Sequence, residues 1–478
     1  MWPLLLIPAL LLAFIAVIVI RALCFKPKPQ PALQENEITF DEERARESLK
    51  TLIRFKTVSY RDAAKEDDAE FEKLIDALPS LYPNVAEKIS LLRLPDRALL
   101  FHWKGQKDGA PAVLMAHYDV VPVNEDAWSL PAFEGIIKDG CLWGRGALDT
   151  KATFNGILYA AEHLLSQGFV PENDLYFAFS GGEEVNGKGA VNIVDYLEEK
   201  GINPAFVLDE GGAVVENVFP GVKAACGLIG IAEKGLMDVR YTAKSSGGHA
   251  SAPKPNAPVD RLCAACGKML KSPFPAHLTP PAAEMFDTLG RYSSFAYKII
   301  FSNIRLFLPI LNMVCKKSGG ELNALLRTTV AFTQMEGSSA SNVIPPEAAL
   351  VSNIRLNPAD NIEDALSYIR KTVNDPSIEV SCLHGMNPSR ISRTDCEGYS
   401  KIASAVASTW RGCIVSPYLM VQCSDSRHYG RISDKVYRFS AMDLTSEERA
   451  TIHGNNERIR LDAINRTVEF YIRLMQGC

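Results

Sequence analysis

No run of lysine or arginine lines a helix face in this chain of 478 residues, and 51 basic against 56 acidic side chains leave a net charge of -5. That balance excludes the basic footprint by which proteins hold nucleic acid. No Gly-x-Ser-x-Gly stretch occurs, which removes the nucleophile elbow of many serine hydrolases. Internal repeats and low-complexity tracts are absent, which excludes a repeat architecture. The 11 cysteines are odd in number and scattered, so a disulfide-stapled scaffold is excluded and free thiols are expected. Cys263 and Cys266 stand as a C-x-x-C pair, but no second pair lies nearby, and packing is their expected role. What remains is ordinary globular composition, 47% hydrophobic and 22% charged, in a length suited to about two or three folding units.

The first segment carries its own information. Trp2 to Ile20 holds no charge and is almost wholly aliphatic. About 20 such residues cross a bilayer. No Lys or Arg precedes the run, and Arg21-Ala22-Leu23-Cys24 is a poor cleavage site, so an uncleaved anchor fits better than a signal peptide. Residues 1–22 are therefore expected to form a single-pass transmembrane helix, with the membrane as a partner. Residues 23–36 follow as a linker, stiffened by proline between Lys26 and Leu33. Arg21, Lys26 and Lys28 after the span favour a cytoplasmic body by charge bias. The side of the membrane on which the body lies stays open.

From about Glu37 short apolar runs alternate with helical periodicity, the pattern of an α/β sheet. Val113–Ala116, Leu175–Phe179 and Ala205–Leu208 read as buried strands. Phe154, Ile157, Leu158, Ala161, Leu164 and Leu165 mark a helix closed by Gly168, and another runs from about Gly189 to Glu199. Past Ile229 the pattern changes. Strands at Met237–Ala243, Thr328–Gln334, Ala348–Leu356 and Ile378–Leu383, with helices after Pro258 and at Ile362–Val373, give a β-α-β-β-α-β order. The expected architecture is α/β: a mixed central sheet flanked by helices over 37–228 and 385–478, interrupted by a ferredoxin-like α+β lid domain over 229–384.

Chemistry-bearing residues fall at strand ends. His117 follows the first strand, Glu183 and Glu184 the second, Asp209 the third. Open α/β sheets gather ligands at that edge. Asp149 sits in a loop feeding a helix, and His453 in a late loop. Singly, each has an ordinary reading: a hydrogen-bonded histidine, a solvated glutamate pair, an N-cap. Together, so many carboxylates at one edge require cations, and mixed His/Asp/Glu ligation suits zinc, with cobalt or manganese as alternatives. Asp119, two residues beyond His117 on extended chain, can orient the imidazole. One glutamate of the pair can bind metal while the other acts as base; the residues alone do not say which. His102, His163, His277, His384 and His428 carry no surrounding motif.

His117-Tyr118-Asp119-Val120-Val121-Pro122, Gly144-Arg145-Gly146 with Asp149-Thr150-Lys151, Glu183-Glu184, Asp209-Glu210-Gly211-Gly212 and Ile452-His453-Gly454 resemble, in order, five blocks of the aminoacylase/carboxypeptidase S family of co-catalytic zinc metallopeptidases. The resemblance spans nearly all of the chain after the linker. It is nearest the branch of carboxypeptidase S and the N-fatty-acyl-amino-acid synthase/hydrolases, through apolar Phe301–Leu311, Asn342-Val343-Ile344-Pro345-Pro346 and Ser424-Asp425-Ser426-Arg427. It implies two zinc ions bridged by Asp149, one completed by His117 and Asp209, the other by Glu184 and His453. It further implies that Asp119 orients His117 and that Glu183 is general base, then acid. His249 would stabilise the oxyanion, in some relatives across a homodimer.

Arg355 and Arg427 are candidates to hold a substrate carboxylate by paired hydrogen bonds; Asn342 of the branch motif is a further substrate-binding candidate. Departures are Gly182, where relatives often carry Asp, and Thr150, which replaces a common second Asp. The implied activity is a two-metal amidohydrolase or carboxypeptidase that cleaves N-acyl amino acids, in either direction. Carboxypeptidase or dipeptidase action on short peptides is the alternative. A metal-dependent binding protein without turnover is a third reading, opposed by the intact Glu183. The apolar segment Tyr297–Val314 is expected to wall the active site, touch the membrane, or pack within the insertion.

Overall fold

The computed structural model describes residues 2–478, with side chains from residue 6 onward; Met1 of the expected 1–22 anchor lies outside the described residues. Eight strands form one mixed sheet in the order Ser90–Leu94, Ala98–Trp103, Leu175–Ser180, Ala112–His117, Phe206–Val215, Val436–Leu444, Cys226–Glu233, Ile414–Met420. The three strands that were expected from apolar runs lie side by side and parallel. Their residues are buried on both faces because helices cover both. Along Ala112–His117, Leu114 and Ala116 pack towards the helix Lys151–Ser166, while Val113 and Met115 pack towards Gly189–Glu199. The helix Lys151–Ser166 runs against Leu461–Gln476 so closely that a Cβ on Gly156 would come within 2.6 Å of Thr467 Cγ2.

A second, antiparallel sheet has the order Thr329–Glu336, Glu347–Leu356, Gly235–Lys244, Ile378–Met386. The helices Pro258–Lys271 and Ile362–Val373 share its core. This is the expected β-α-β-β-α-β order. The boundaries expected for the lid differ from those observed. Residues 229–233 belong to the strand Cys226–Glu233, which pairs with Ile414–Met420 in the large sheet, so the chain leaves that sheet only at Lys234. Within the insertion, the helices between Pro280 and Leu326 pack on the body rather than on the lid: Phe286, Leu289, Phe301 and Leu326 share one core with Leu228, Ile414 and Tyr418. Their apolar faces fit the uncovered side of the outermost strand, a destination that sequence contiguity does not reveal.

The linker is no free stalk. Gln34 N donates to Ser408 Oγ at 2.9 Å, Ser404 Oγ to the Ala32 carbonyl at 2.6 Å, and Phe25 is buried. These bonds satisfy backbone groups that neither helix nor sheet provides for. The helix Trp2–Cys24 precedes it. Its segment Leu6–Cys24 has a mean hydropathy of 2.7 and is almost wholly uncovered, long and apolar enough to cross a membrane; a signal sequence meets the same description.

Candidate active site

Parallel pairing brings the ligand-bearing strand ends level. His117 pairs with Ser180, which leads into Glu183 and Glu184, and Leu114 pairs with Leu208 on the other side. His117 Nε2 lies 3.0 Å from Asp149 Oδ1 and 3.4 Å from Glu210 Oε1. His453 Nε2 lies 2.9 Å from Asp149 Oδ2 and 3.0 Å from Glu184 Oε2. Asp149 thus presents one oxygen to each imidazole. The ring Nδ1 of His117 is 3.0 Å from the Asp119 carbonyl, and a proton donated there leaves the Nε2 lone pair for a cation. The Asp119 carboxylate accepts from the backbone N–H groups of Glu183 and Glu184, both at 3.2 Å. Asp119 therefore orients the histidine and the glutamate turn together.

Asp209, expected as a ligand, lies beside this cluster, near enough to His117 to interact with its charge, but its oxygens are not among the donor atoms gathered most tightly. Its Oδ2 accepts from Ser426 N at 2.9 Å. Glu210 Oε1 lies 3.4 Å from His117 Nε2 in the structure, and the charge of His117 also reaches Asp209, opposing the upward push of burial on its carboxyl. The donor atoms of His117, Glu183 and Glu210 form one group within 4.8 Å, and those of His117, Asp149 and Glu184 another.

The electrostatics call for cations. Burial, with Asp149 adding to it, pushes Glu210 up to about 8. Burial also raises Glu183 well above the usual carboxylate range, and neighbouring Asp425, Glu210 and Glu184 reinforce it against the pull of His117. Burial alone would lower His117, but Glu210, Asp119 and Asp149 outweigh it and hold the imidazole well above its ordinary value. Hydrogen bonds to Asp149 and Glu184 push His453 up to about 10. Glu184 Oε1 is buried with no hydrogen-bond partner. A crowd of buried carboxylates with an orphaned oxygen fits divalent cations, which would replace the protons the cluster otherwise retains.

Two residues to which the motifs gave no role, Glu457 and Arg145, fasten the site. Glu457 is fully buried and accepts from the backbone N–H groups of Gly146, Leu148 and Asp149 at 3.1, 2.7 and 3.1 Å, and from Arg145 Nη1 at 2.7 Å. Arg145 Nη2 in turn donates to the Gly454 carbonyl at 2.8 Å. The loops carrying Asp149 and His453 are therefore one unit. An arginine between two glycines was the only trace of this in the sequence.

A cavity of about 590 Å³ opens on the cluster, lined by Asp149, Glu183, Glu210, Cys423 and His453. That volume falls in the ~300–1,000 Å³ range of small-molecule sites. Leu148, Met420, Met442, Leu444 and Ile452 give it an apolar wall. The segment Tyr297–Val314 does not line it. Arg355 Nη1 donates to Cys423 Sγ at 3.4 Å, at the cavity edge. Arg427 is largely buried nearby, donating to the Lys234 carbonyl at 3.3 Å. Asn342 and His249 lie together in the lid, on the short pair Gly248–His249 and Val343–Ile344 and its flank. His249 is exposed, its Nδ1 2.7 Å from Ser251 Oγ, and among the described residues it makes no hydrogen bond or ion pair with the cluster. All 11 cysteines are free, Cys263 and Cys266 included.

Known proteins resemble this chain in sequence and in fold. The "Probable carboxypeptidase S-like 2" of Dictyostelium discoideum is 32% identical over 98% of this chain and 92% of its own length. The N-fatty-acyl-amino acid synthase/hydrolase PM20D1 of Xenopus tropicalis is 36% identical over 90% of this chain and 85% of its own. Among solved structures, the M20 family metallo-carboxypeptidase Sso-CP2 from Sulfolobus solfataricus superposes with a TM-score of 0.68 at 17% identity, covering 92% of this chain and 99% of that one. The Bacillus subtilis YXEP protein, a dinuclear metal-binding peptidase of the M20 family, does so at 0.55 and 13%, covering 91% and 97%. The sequence profile of peptidase family M20/M25/M40 matches residues 113–477, from the strand that carries His117 to the last helix, and the chain belongs to that family.

Proposed function

We propose that this metal-dependent amide hydrolase acts on N-acyl amino acids with extended acyl chains, using two zinc ions. One observation supports this above others: the same cavity holds the His/Asp/Glu cluster and an apolar wall of Leu148, Met420, Met442, Leu444 and Ile452. The similarity to an N-fatty-acyl-amino acid synthase/hydrolase supports the same reading. His117, Asp149 and Glu210 would hold one ion, and Asp149, Glu184 and His453 the other. Bound metal would polarise the amide carbonyl and acidify a water. Glu183, whose carboxyl is already pushed towards proton affinity, would take the water's proton and return it to the leaving nitrogen. Arg355 and Arg427 would engage the free carboxylate beside the scissile bond. The helix Trp2–Cys24 would anchor the chain in a membrane.

The test is a series of N-acyl glycines of rising acyl length, with dipeptides alongside, on chelated and zinc-restored protein. In an apolar trough each methylene contributes about 0.8 kcal/mol, so kcat/KM should rise about fourfold per methylene until the wall ends. Glu183→Ala should cost about 10²- to 10⁴-fold without loss of metal. A flat acyl series with efficient dipeptide cleavage would replace this reading by short-peptide carboxypeptidase action.

A further inference from the structure

The helices Phe295–Phe301 and Ile304–Ser318 meet at 105° and form an arm whose outer face is apolar and uncovered. Leu306, Ile310, Met313 and Val314 fall on one side by helical spacing and are 47, 54, 64 and 51% exposed. The inner side is occupied: Leu308, Leu311 and Cys315 pack into the core of the body. The outer face is thus not needed to hold the arm in place. Such a contiguous patch marks an interaction site. Its charge is one-sided. No acidic residue occurs between Asp287 and Glu321, while Arg291, Lys298, Arg305, Lys316 and Lys317 do.

The N-terminal helix indicates what covers the patch. It packs against Phe295–Phe301, and Asn303 Nδ2 donates to the Ile18 carbonyl at 3.3 Å. Ile18 lies about 9 Å along the helix before its end at Cys24, at a rise of 1.5 Å per residue. A bilayer crossed by that helix therefore takes the arm in to a similar depth. Helices lying in a membrane interface sit about 5–10 Å into the boundary of headgroups and acyl chains, with basic residues at the phosphates. The depth fixed by Asn303, the exposed apolar face and the absence of acidic side chains agree.

We propose that this arm is embedded in the leaflet from which the N-terminal helix emerges. The inference rests on that helix being a retained anchor. It also deepens the substrate reading. Glu321, which follows the arm, accepts from Tyr418 Oη at 2.9 Å and lies 3.8 Å from Arg449 in the cavity wall. The cavity is thereby tied to a lipid-facing element, which suits an amphiphilic substrate already dissolved in the bilayer.

The test uses the full chain reconstituted in phosphatidylcholine vesicles containing phosphatidylserine, with brominated acyl chains as quencher. Ile310→Trp and Met313→Trp place reporters on the arm, and Leu383→Trp, at a position 53% exposed on the lid, is the control. The arm tryptophans should shift to shorter wavelength and lose about half of their added emission to the brominated lipid, while the control loses none. If the chain floats with the vesicles but arm and control respond alike, the inference is overturned and the anchor stands. A blue shift without quenching, the sign of a second protein covering the face, overturns it too. If intact mass shows the N-terminal helix removed and the chain no longer floats, the anchor reading itself fails and takes the inference with it.

Discussion

Asp149 is the residue on which the site turns, because its two oxygens face two different histidines. The neighbouring choice between Asp209 and Glu210 makes a sharp test. Glu210→Gln should weaken the affinity for one of two zinc ions by more than ~100-fold, while Asp209→Asn, whose carboxylate is held by the Ser424–Ser426 loop, should stay within the ~10–100-fold of an indirect partner. Competition against a chelator measures both, and the reverse order would return Asp209 to the ligand set. Protonation gives a second test. Without metal, Glu210 keeps its proton up to about pH 8 and His453 up to about pH 10. Ligation requires both to be deprotonated, so metal uptake releases protons and affinity must fall as pH falls through this range. Calorimetry in buffers of different ionisation enthalpy should show the release at pH 7, and a pH-independent affinity would contradict it. His117, Asp149, Glu184 and His453 were legible in the sequence because each sits in a motif block with its own signature. Asp209 and Glu210 adjoin, and a dipeptide alone does not say which carboxylate stands nearer the imidazole; the structure brings Glu210 Oε1 to 3.4 Å from His117 Nε2.

Loops become precise when another element fastens them. Three backbone N–H groups of the segment 146–149 end on Glu457, and the following strand Arg458–Arg460 pairs with Cys141–Trp143, so both ends of the fastening are fixed. Glu457→Gln keeps the shape but loses the charge opposite Arg145. It should lower metal affinity about 10–100-fold with helix and strand content unchanged by circular dichroism. A purely structural Glu457 would instead lower the melting temperature and leave the affinity of the surviving folded protein intact. The central elements were legible because strands buried on both faces leave unbroken apolar runs, as in Val113–Ala116. Val436–Leu444 was not, because Arg438 interrupts its run. That charge is tolerated at full burial through Glu233, which meets it from the adjacent strand at 3.1 Å, and through the Val436 carbonyl, which accepts from its Nη1 at 2.9 Å. The edge strand Ser90–Leu94 was missed for the opposite reason, since its mostly exposed residues carry little burial signal.

At the scale of the molecule, the lid stands apart from the chemistry it is expected to serve. The metal cluster, the apolar wall and the arginines belong to the body or its junction with the lid, whereas His249 and Asn342 sit on the lid, exposed and without contact to the cluster. A histidine that acts on the oxyanion must therefore arrive by closure of its own lid or from a second copy. Both routes predict that His249→Ala lowers kcat while two-metal binding persists. They part on mixing. If the histidine acts across a homodimer, His249→Ala and Glu183→Ala each leave a different half of every site defective. In a mixed dimer one site then combines both defects and the other is whole. Random reassortment makes half of the dimers mixed, so co-refolded variants should recover about a quarter of wild-type activity from two nearly inactive parents. If each lid closes on its own body, no pairing yields an intact site and the mixture stays inactive at every ratio.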